Sequence, residues 1–228
     1  MKIVTLIPAK GSSKRIPRKN IMDINGYPLI YYPIKSSLKC NLISETWVST
    51  EDEEIKNTSL LYGARVLDRP NKLSDHLSTT ESVILHFLEN VSCDILVLIQ
   101  PTSPYVTHCD LKEALSMMNK YDSIISTVQY RGFLWKKINQ TSDKIVQILY
   151  DSKRIMTQDI NEDNYPFLQE NGAFYIAKKD IIISEKCRYG GNIGSFKMKY
   201  GEELDWIEDF PKIKVIMFNL ISEGYWDE

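Results

Sequence analysis

Short apolar runs alternate with amphipathic stretches from Lys2 to Tyr130, and this alternation constrains the fold more than any other feature of the chain. "KIVTLI" (2–7), "ETWVST" (45–50), "ARVL" (64–67), "DILVLI" (94–99) and "DSIISTVQY" (122–130) read as strands. Between them, "PLIYYPIKSSLKC" (28–40), "TEDEEIKNTSLLYG" (50–63), "TTESVILHFLEN" (79–90) and "THCDLKEALSMMNKY" (107–121) have helical spacing. Thr50 with Glu53, and Thr107 with Asp110, stand at capping-box separation. Gly63 follows the second helix as a stop, and Pro33 disturbs the first turns of the first helix. Strands that alternate with helices need right-handed crossovers, so the expected fold is α/β: a mostly parallel sheet with helices on both faces. In such sheets ligands bind at the carboxyl ends of the strands, which directs attention to the loops that follow them.

From about Tyr130 the alternation fails. The stretch 131–169 holds "FLWKK", "KIVQILY" and "RIMTQD", polar and irregular but too rich in aromatic and branched residues for a linker. It is expected to be a small lobe inserted in a single domain spanning 1–228. The sheet pattern resumes with "NGAFYIA" and "NIGSFKM", and "PKIKVIMFNLIS" closes the chain as a helix. With 43% hydrophobic residues among 228, there is material for a substantial core. Cys40, Cys93, Cys109 and Cys187 form no C-x-x-C pair, so neither a zinc knuckle nor a thioredoxin-type site is expected. "IVTLI" is too short for a signal-peptide core and no run reaches the length of a membrane span, so a soluble, cytoplasmic protein away from membranes is expected.

The net charge is only −2, yet "IPAKGSSKRIPRKNI" (7–21) carries Lys10, Lys14, Arg15, Arg18 and Lys19 without an acid. A nucleic-acid binder spreads basic residues over a face and interleaves aromatics with them; here the charge is confined to one loop. The expected partner is small and anionic. The loop follows the first strand and lacks both the Walker pattern and G-x-G-x-x-G. It offers small residues whose amides can cup a phosphate, with lysines close by. The alternative is a solvated basic loop.

The same stretch resembles the opening motif I-P-A-R-G-G-S-K-x-I-P-x-K-N-I of the cytidylyltransferases that activate sialic acids and related 2-keto sugars. The resemblance continues through "VSTEDEEI", "YGARVLDRPNKLS", "QPTSPY", "ENGAFYI" and "YGGNIGSFKM", in family order. It implies a Rossmann-like nucleotidyltransferase that joins CTP to an acidic sugar with Mg²⁺, releasing pyrophosphate for surface glycan synthesis. By that resemblance Lys10 and Lys19 act in catalysis. Lys19 and Asn20 grip the nucleotide, while Gly11, Ser12, Ser13 and Lys14 hold its phosphates. Arg69, Thr80 and Gln100 match positions at the cytidine pocket. "GEELDWIEDF" supplies Asp205 at the family's central metal carboxylate, with Glu203 where the family usually has aspartate. Taken alone, Arg69 also reads as a surface-pair arginine, Gln100 as a strand-end cap and Thr80 as part of a helix start.

Two departures bear on the acceptor. Lys10 replaces a usual arginine, exchanging a fork of donors for a point charge. In "RIMTQD", Arg154, Gln158 and Asp159 persist, but Met156 and Thr157 occupy positions where the sialate branch has arginines. Arg154, Gln158 and Lys136 are the expected sugar-side residues. The acceptor is expected to be N-acetylneuraminic acid or a related nonulosonic acid. Legionaminic, pseudaminic and eight-carbon keto acids are alternatives, as is a non-catalytic nucleotide-binding relative. Family members pair through the lobe, which implies a homodimer. His76, His86 and His108 sit in no constellation.

Overall fold

The computed structural model describes residues 1–75, 77–139, 144–148, 156–161 and 163–226. The central sheet has seven strands in the order β11-β7-β10-β6-β1-β4-β5. These are β1 (Ile3–Pro8), β4 (Glu45–Thr50), β5 (Arg65–Asp68), β6 (Ile95–Ile99), β7 (Ser123–Gln129), β10 (Leu168–Lys178) and β11 (Ile193–Lys197). A small ribbon of β2 (Asp23–Ile24) and β3 (Tyr27–Pro28) follows the cationic loop, and β8 (Trp135–Lys137) pairs with β9 (Ile145–Gln147) in the lobe. All neighbours in the large sheet are parallel except β10, which runs against both β6 and β7.

β6 reads ILVLI and every residue of it is buried, as a strand covered on both faces requires. Its odd positions, Ile95, Val97 and Ile99, join one cluster with Ile3, Ile7 and Phe174. Leu96 and Leu98 point the other way and meet Val4, Leu6 and Tyr175. The first face is closed by α1 (Tyr31–Lys39), α4 (His108–Ser116) and α6 (Phe210–Ser222), which contribute Ile34, Leu111 and Met217 among others. The second is closed by α3 (Thr80–Asn90) and α5 (Lys179–Glu185) through Phe87 and Ile182. Truncating Phe87, with no exposed surface, costs about 3–5 kcal/mol on the usual scale for a buried aromatic.

Local chemistry fixes the helix starts. Thr107 and Asp110 form the expected capping box at α4. At α2 (Glu53–Leu61) the sequence expectation fails: the cap is Asp52, whose carboxylate accepts from the Ile55 amide. Thr50 instead ends β4, buried, and its hydroxyl accepts the Asp52 N–H. Two candidate acceptors stood near the right spacing, and the strand claimed the first. Gly63 has φ +94 and ends α2 as expected. Pro33 falls in the first turn of α1, where its missing N–H has no intrahelical partner to lose.

The lobe leaves the sheet after β7 and returns at Leu168, just inside the boundary at 169 that the sequence suggests. Gln129 pins its base by donating to the carbonyls of Tyr165 and Phe167 at 2.8 and 3.1 Å. Phe133 and Phe167 pack on the buried ring of Tyr165. Among the described residues no helix is long and apolar enough to cross a membrane.

Candidate active site

The loops after β1, β4, β5, β6 and β11 all leave the same edge of the sheet, and β10, running in reverse, begins there. Three cavities lie along this edge and share one residue, Lys10. The first, about 150 Å³, is walled by Arg69, Leu73, Thr80 and Gln100. The second, about 210 Å³, is formed by the cationic loop itself, through Lys10, Ser12, Ser13, Lys14, Arg15 and Lys19. The third, about 470 Å³, brings Arg15 and Lys19 together with Thr80, Gln100, Glu203 and Asp205.

The five loop cations divide into two groups. Arg18, in the left-handed region at φ 57, is locked onto Asp52 and Glu54 of the α2 start. Its fork holds Asp52 well below the usual carboxylate range. Arg15 donates to Asp205 at 3.0 Å, and the Lys19 ammonium lies 2.9 Å from the Leu204 carbonyl and 3.4 Å from Asp205. Burial pulls the Lys19 pKa down, while the charge of Asp205 opposes that shift. Among the described residues Lys10 and Lys14 make no ion pair, so these two present unbalanced charge to the loop cavities.

The loop's shape is held from outside. Asn20, buried, donates its side-chain amide to the Lys10 carbonyl at 2.9 Å and lines none of the three cavities. The Gly11 amide donates to the Glu51 carboxylate at 2.8 Å. The other oxygen of Glu51 takes the Ser74 hydroxyl at 2.7 Å, and Ser12 in turn donates to the Ser74 carbonyl. A Cβ on Gly11 would stand 2.4 Å from the Asp52 carboxylate, which explains why glycine occupies this position. Glu51 is thus a tie between the loop and the segment after β5 that sequence reasoning did not single out.

Arg69 is only 6% exposed and anchors on Ser49, through its hydroxyl at 3.1 Å and its carbonyl at 2.5 Å. Burial brings its pKa down to about 10, so it stays charged at neutral pH as the floor of the smallest cavity. It is not a surface-pair arginine. Thr80 opens α3 one residue after its cap, Thr79, and faces two cavities. Gln100 accompanies it in both, its backbone amide tied to the Ala173 carbonyl at 2.9 Å.

Glu203 and Asp205 both line the largest of these three cavities, as alternate positions of an extended segment should. Burial and the neighbouring Asp205 charge raise the Glu203 pKa. Asp209 is spent elsewhere, accepting the backbone amides of Asp205 and Trp206. Among the described residues no three His, Cys, Asp or Glu side chains converge. Two hard carboxylates open to one cavity nevertheless fit a dication that takes its other ligands from water and substrate oxygens. Glu203 packs against Gly172, in the left-handed region at φ +66 within a bulge of β10 between Glu170 and Tyr175.

Two of the residues expected on the sugar side lie away from these cavities. Lys136 is exposed on β8, and Gln158 is exposed in a short helical turn with its amide 3.9 Å from the Met156 sulfur; neither lines any of these three cavities. Arg154 and His76 lie outside the described residues. The wall of the largest cavity carries instead Thr102, Glu170, Tyr175 and Arg188. Arg188 donates from Nε to Glu81 at 2.7 Å and lies 5.1 Å over the Tyr175 ring, while the Tyr175 hydroxyl donates to Glu170. Burial is the strongest single influence on the Arg188 pKa and lowers it, but the bond to Glu81, the Glu81 charge and Tyr175 together outweigh it and the net direction is up. No sequence motif marks this chain of contacts, because Glu81 and Arg188 are distant in sequence.

A cationic loop after the first strand and a carboxylate pair across the same sheet edge define the Rossmann-like nucleotidyltransferase class. The solved structure of CMP:2-keto-3-deoxy-manno-octonic acid synthetase complexed with CTP has the same fold, with a TM-score of 0.71 over 96% of this chain and all (100%) of that one at 18% identity. Within that class the chain belongs to the cytidylyltransferase family, whose model matches residues 4–217. It is 35% identical over 216 residues to N-acylneuraminate cytidylyltransferase A of Danio rerio, covering 92% of this chain and 49% of that protein. It is 28% identical over 231 residues to pseudaminic acid cytidylyltransferase of Campylobacter jejuni, covering 95% of this chain and 96% of that protein. The chain thus spans about half the length of its Danio relative and nearly all of the Campylobacter one.

Proposed function

We propose that the protein is a CTP-dependent cytidylyltransferase that transfers CMP to an acidic 2-keto sugar and releases pyrophosphate. The observation that carries this reading is the position of Lys10 at the junction of three cavities, one sized for a base, one built from cationic loop residues and one large enough for a sugar. In this reading Arg69, Thr80 and Gln100 receive cytidine. Ser12, Ser13, Lys10 and Lys14 attend the triphosphate, while Gly11, whose amide is given to Glu51, and Asn20 hold the loop beneath it. An acceptor hydroxyl attacks the α-phosphorus, a phosphorus–oxygen bond forms, and the bond to the pyrophosphate oxygen breaks. Such a displacement depends on positioning and charge neutralisation, which Lys19 and Arg15 supply beside Asp205. Glu203 and Asp205 would hold Mg²⁺, which when bound neutralises phosphate oxygens.

The acceptor is N-acetylneuraminic acid or a related nonulosonic acid in this reading, for surface glycan synthesis. The same reaction type in the names of relatives that differ in their acid supports the chemistry more closely than the sugar. A homodimer formed through the lobe belongs to this reading, and the apolar residues its ribbon exposes support it: Leu134, Trp135, Ile145 and Val146 are each at least 43% accessible. The free cysteines agree with a cytoplasmic setting.

The test is pyrophosphate release with CTP and Mg²⁺ across N-acetylneuraminic, legionaminic, pseudaminic and eight-carbon keto acids. Release with one of them is the expected result. Silence across the panel, with CTP still bound by calorimetry, overturns catalysis in favour of a nucleotide-binding role.

A further inference from the structure

An acidic acceptor entering the largest of the three cavities at this end of the sheet meets three carboxylates, Glu170, Glu203 and Asp205. Its own carboxylate is best met by a guanidinium whose two terminal nitrogens are not already given to an acid, since a planar fork grips a carboxylate at two points. Arg15 and Lys19 are paired with Asp205, and Lys10 stands where the three cavities meet. The lobe turn at 156–159 offers Met156, 62% exposed, and Thr157 in place of guanidinium groups. The remaining cation on the cavity wall is Arg188.

Resting on the reading that the acceptor is an acid, we propose that Arg188 is a specificity-determining residue that anchors the acceptor's carboxylate. Its placement suits that task. Glu81 grips Nε at 2.7 Å, and the Tyr175 ring lies 5.1 Å beneath the guanidinium, so the group is held from one edge and one face. Glu170, a competing carboxylate on the same wall, is occupied by the Tyr175 hydroxyl. A braced guanidinium keeps a planar pair of terminal N–H donors for a carboxylate, with little orientation entropy left to lose. A lysine at the same position would bring charge without the fork.

The test compares wild type with Arg188→Gln and Arg188→Lys in steady-state pyrophosphate release, using the acceptor that the wild type turns over and its carboxamide. The expected result for Arg188→Gln is a rise of about 10–100-fold in the acceptor KM, the range of a hydrogen bond to a charged group. The KM for CTP should stay within about twofold, and the preference for acid over carboxamide should disappear. Arg188→Lys should fall between the two. Should Arg188→Gln not fold by thermal melting, Arg188→Lys and Glu81→Gln carry the comparison, each expected to raise the acceptor KM alone. An unchanged acceptor KM with retained acid preference overturns the role of Arg188 and leaves the cytidylyltransferase reading intact. A wild-type enzyme inert toward every acid overturns both.

Discussion

Gly172→Ala separates what the bulge of β10 does for the fold from what it does for the chemistry. Gly172 has φ +66, and an alanine Cβ there would stand 2.3 Å from the Glu203 Oε1. The left-handed backbone costs an L-residue about 1–2 kcal/mol, and the stiffer unfolded chain returns about 0.4–1 kcal/mol. The net loss is about 1 kcal/mol, or a melting temperature lower by about 2–4 °C in a chain of this size. The contact with Glu203 adds little to that, because the tip of a flexible side chain can retreat. It must retreat by roughly 1 Å to reach ordinary van der Waals separation, and displacement on that scale at a reacting centre costs about a hundredfold in rate. The expected outcome is therefore a mild loss of thermal stability with a severe loss of kcat for pyrophosphate release. Glu203→Asp, one methylene shorter, should recover part of the lost rate when combined with Gly172→Ala. Wild-type turnover in Gly172→Ala, or a loss of rate matched by collapse of the fold, would refute the assignment of Glu203 to the site.

Asp205→Ala should abolish turnover while the protein still melts cooperatively, because the carboxylate lies at a cavity and not in the core. Lys19→Ala should weaken CTP binding by calorimetry and lower kcat together; wild-type values for both variants would misplace the site. For Asp52, the hydrogen bond from Arg18 puts the folded pKa below the unfolded one, so its contribution is full above the ordinary carboxylate range and is lost as pH falls through the folded value. Urea denaturation should accordingly show the gap between wild type and Arg18→Ala narrowing toward acid pH. Trp135→Glu, on the exposed ribbon, should convert a dimer to a monomer by light scattering at micromolar concentration.

Much of the sheet was legible because burial on both faces leaves an unmistakable run such as Ile95–Ile99 and because caps such as Thr107 with Asp110 act locally. The direction of β10 was not legible, since a buried strand has the same apolar pattern whichever way it runs. The cationic loop announced an anion, but not that Arg18 is spent on Asp52 and Glu54 or that Glu51 ties the Gly11 amide to Ser74. These are pairings between distant segments, and no spacing rule encodes them. The same reason hid Arg188, whose partners come from α3 and β10. Arg69 shows the opposite limit: its residue type was noticed, but only the bonds to Ser49 distinguish a cavity floor from a surface arginine.

The reversed strand has a consequence for how the molecule is made. As the chain emerges in order, both neighbours of β7 are still to come, so β7 waits unpaired and the place beside β6 stays an open slot. Only after the entire lobe has been synthesised can β10 enter that slot from the opposite direction and satisfy both edges at once. Until then the nascent chain exposes two unpaired apolar strand edges, the condition under which chains aggregate or recruit chaperones. Closure of the slot is a long-range event, and it makes the lobe a kinetic gatekeeper of folding: shortening it brings the ends of the slot-filling hairpin together sooner.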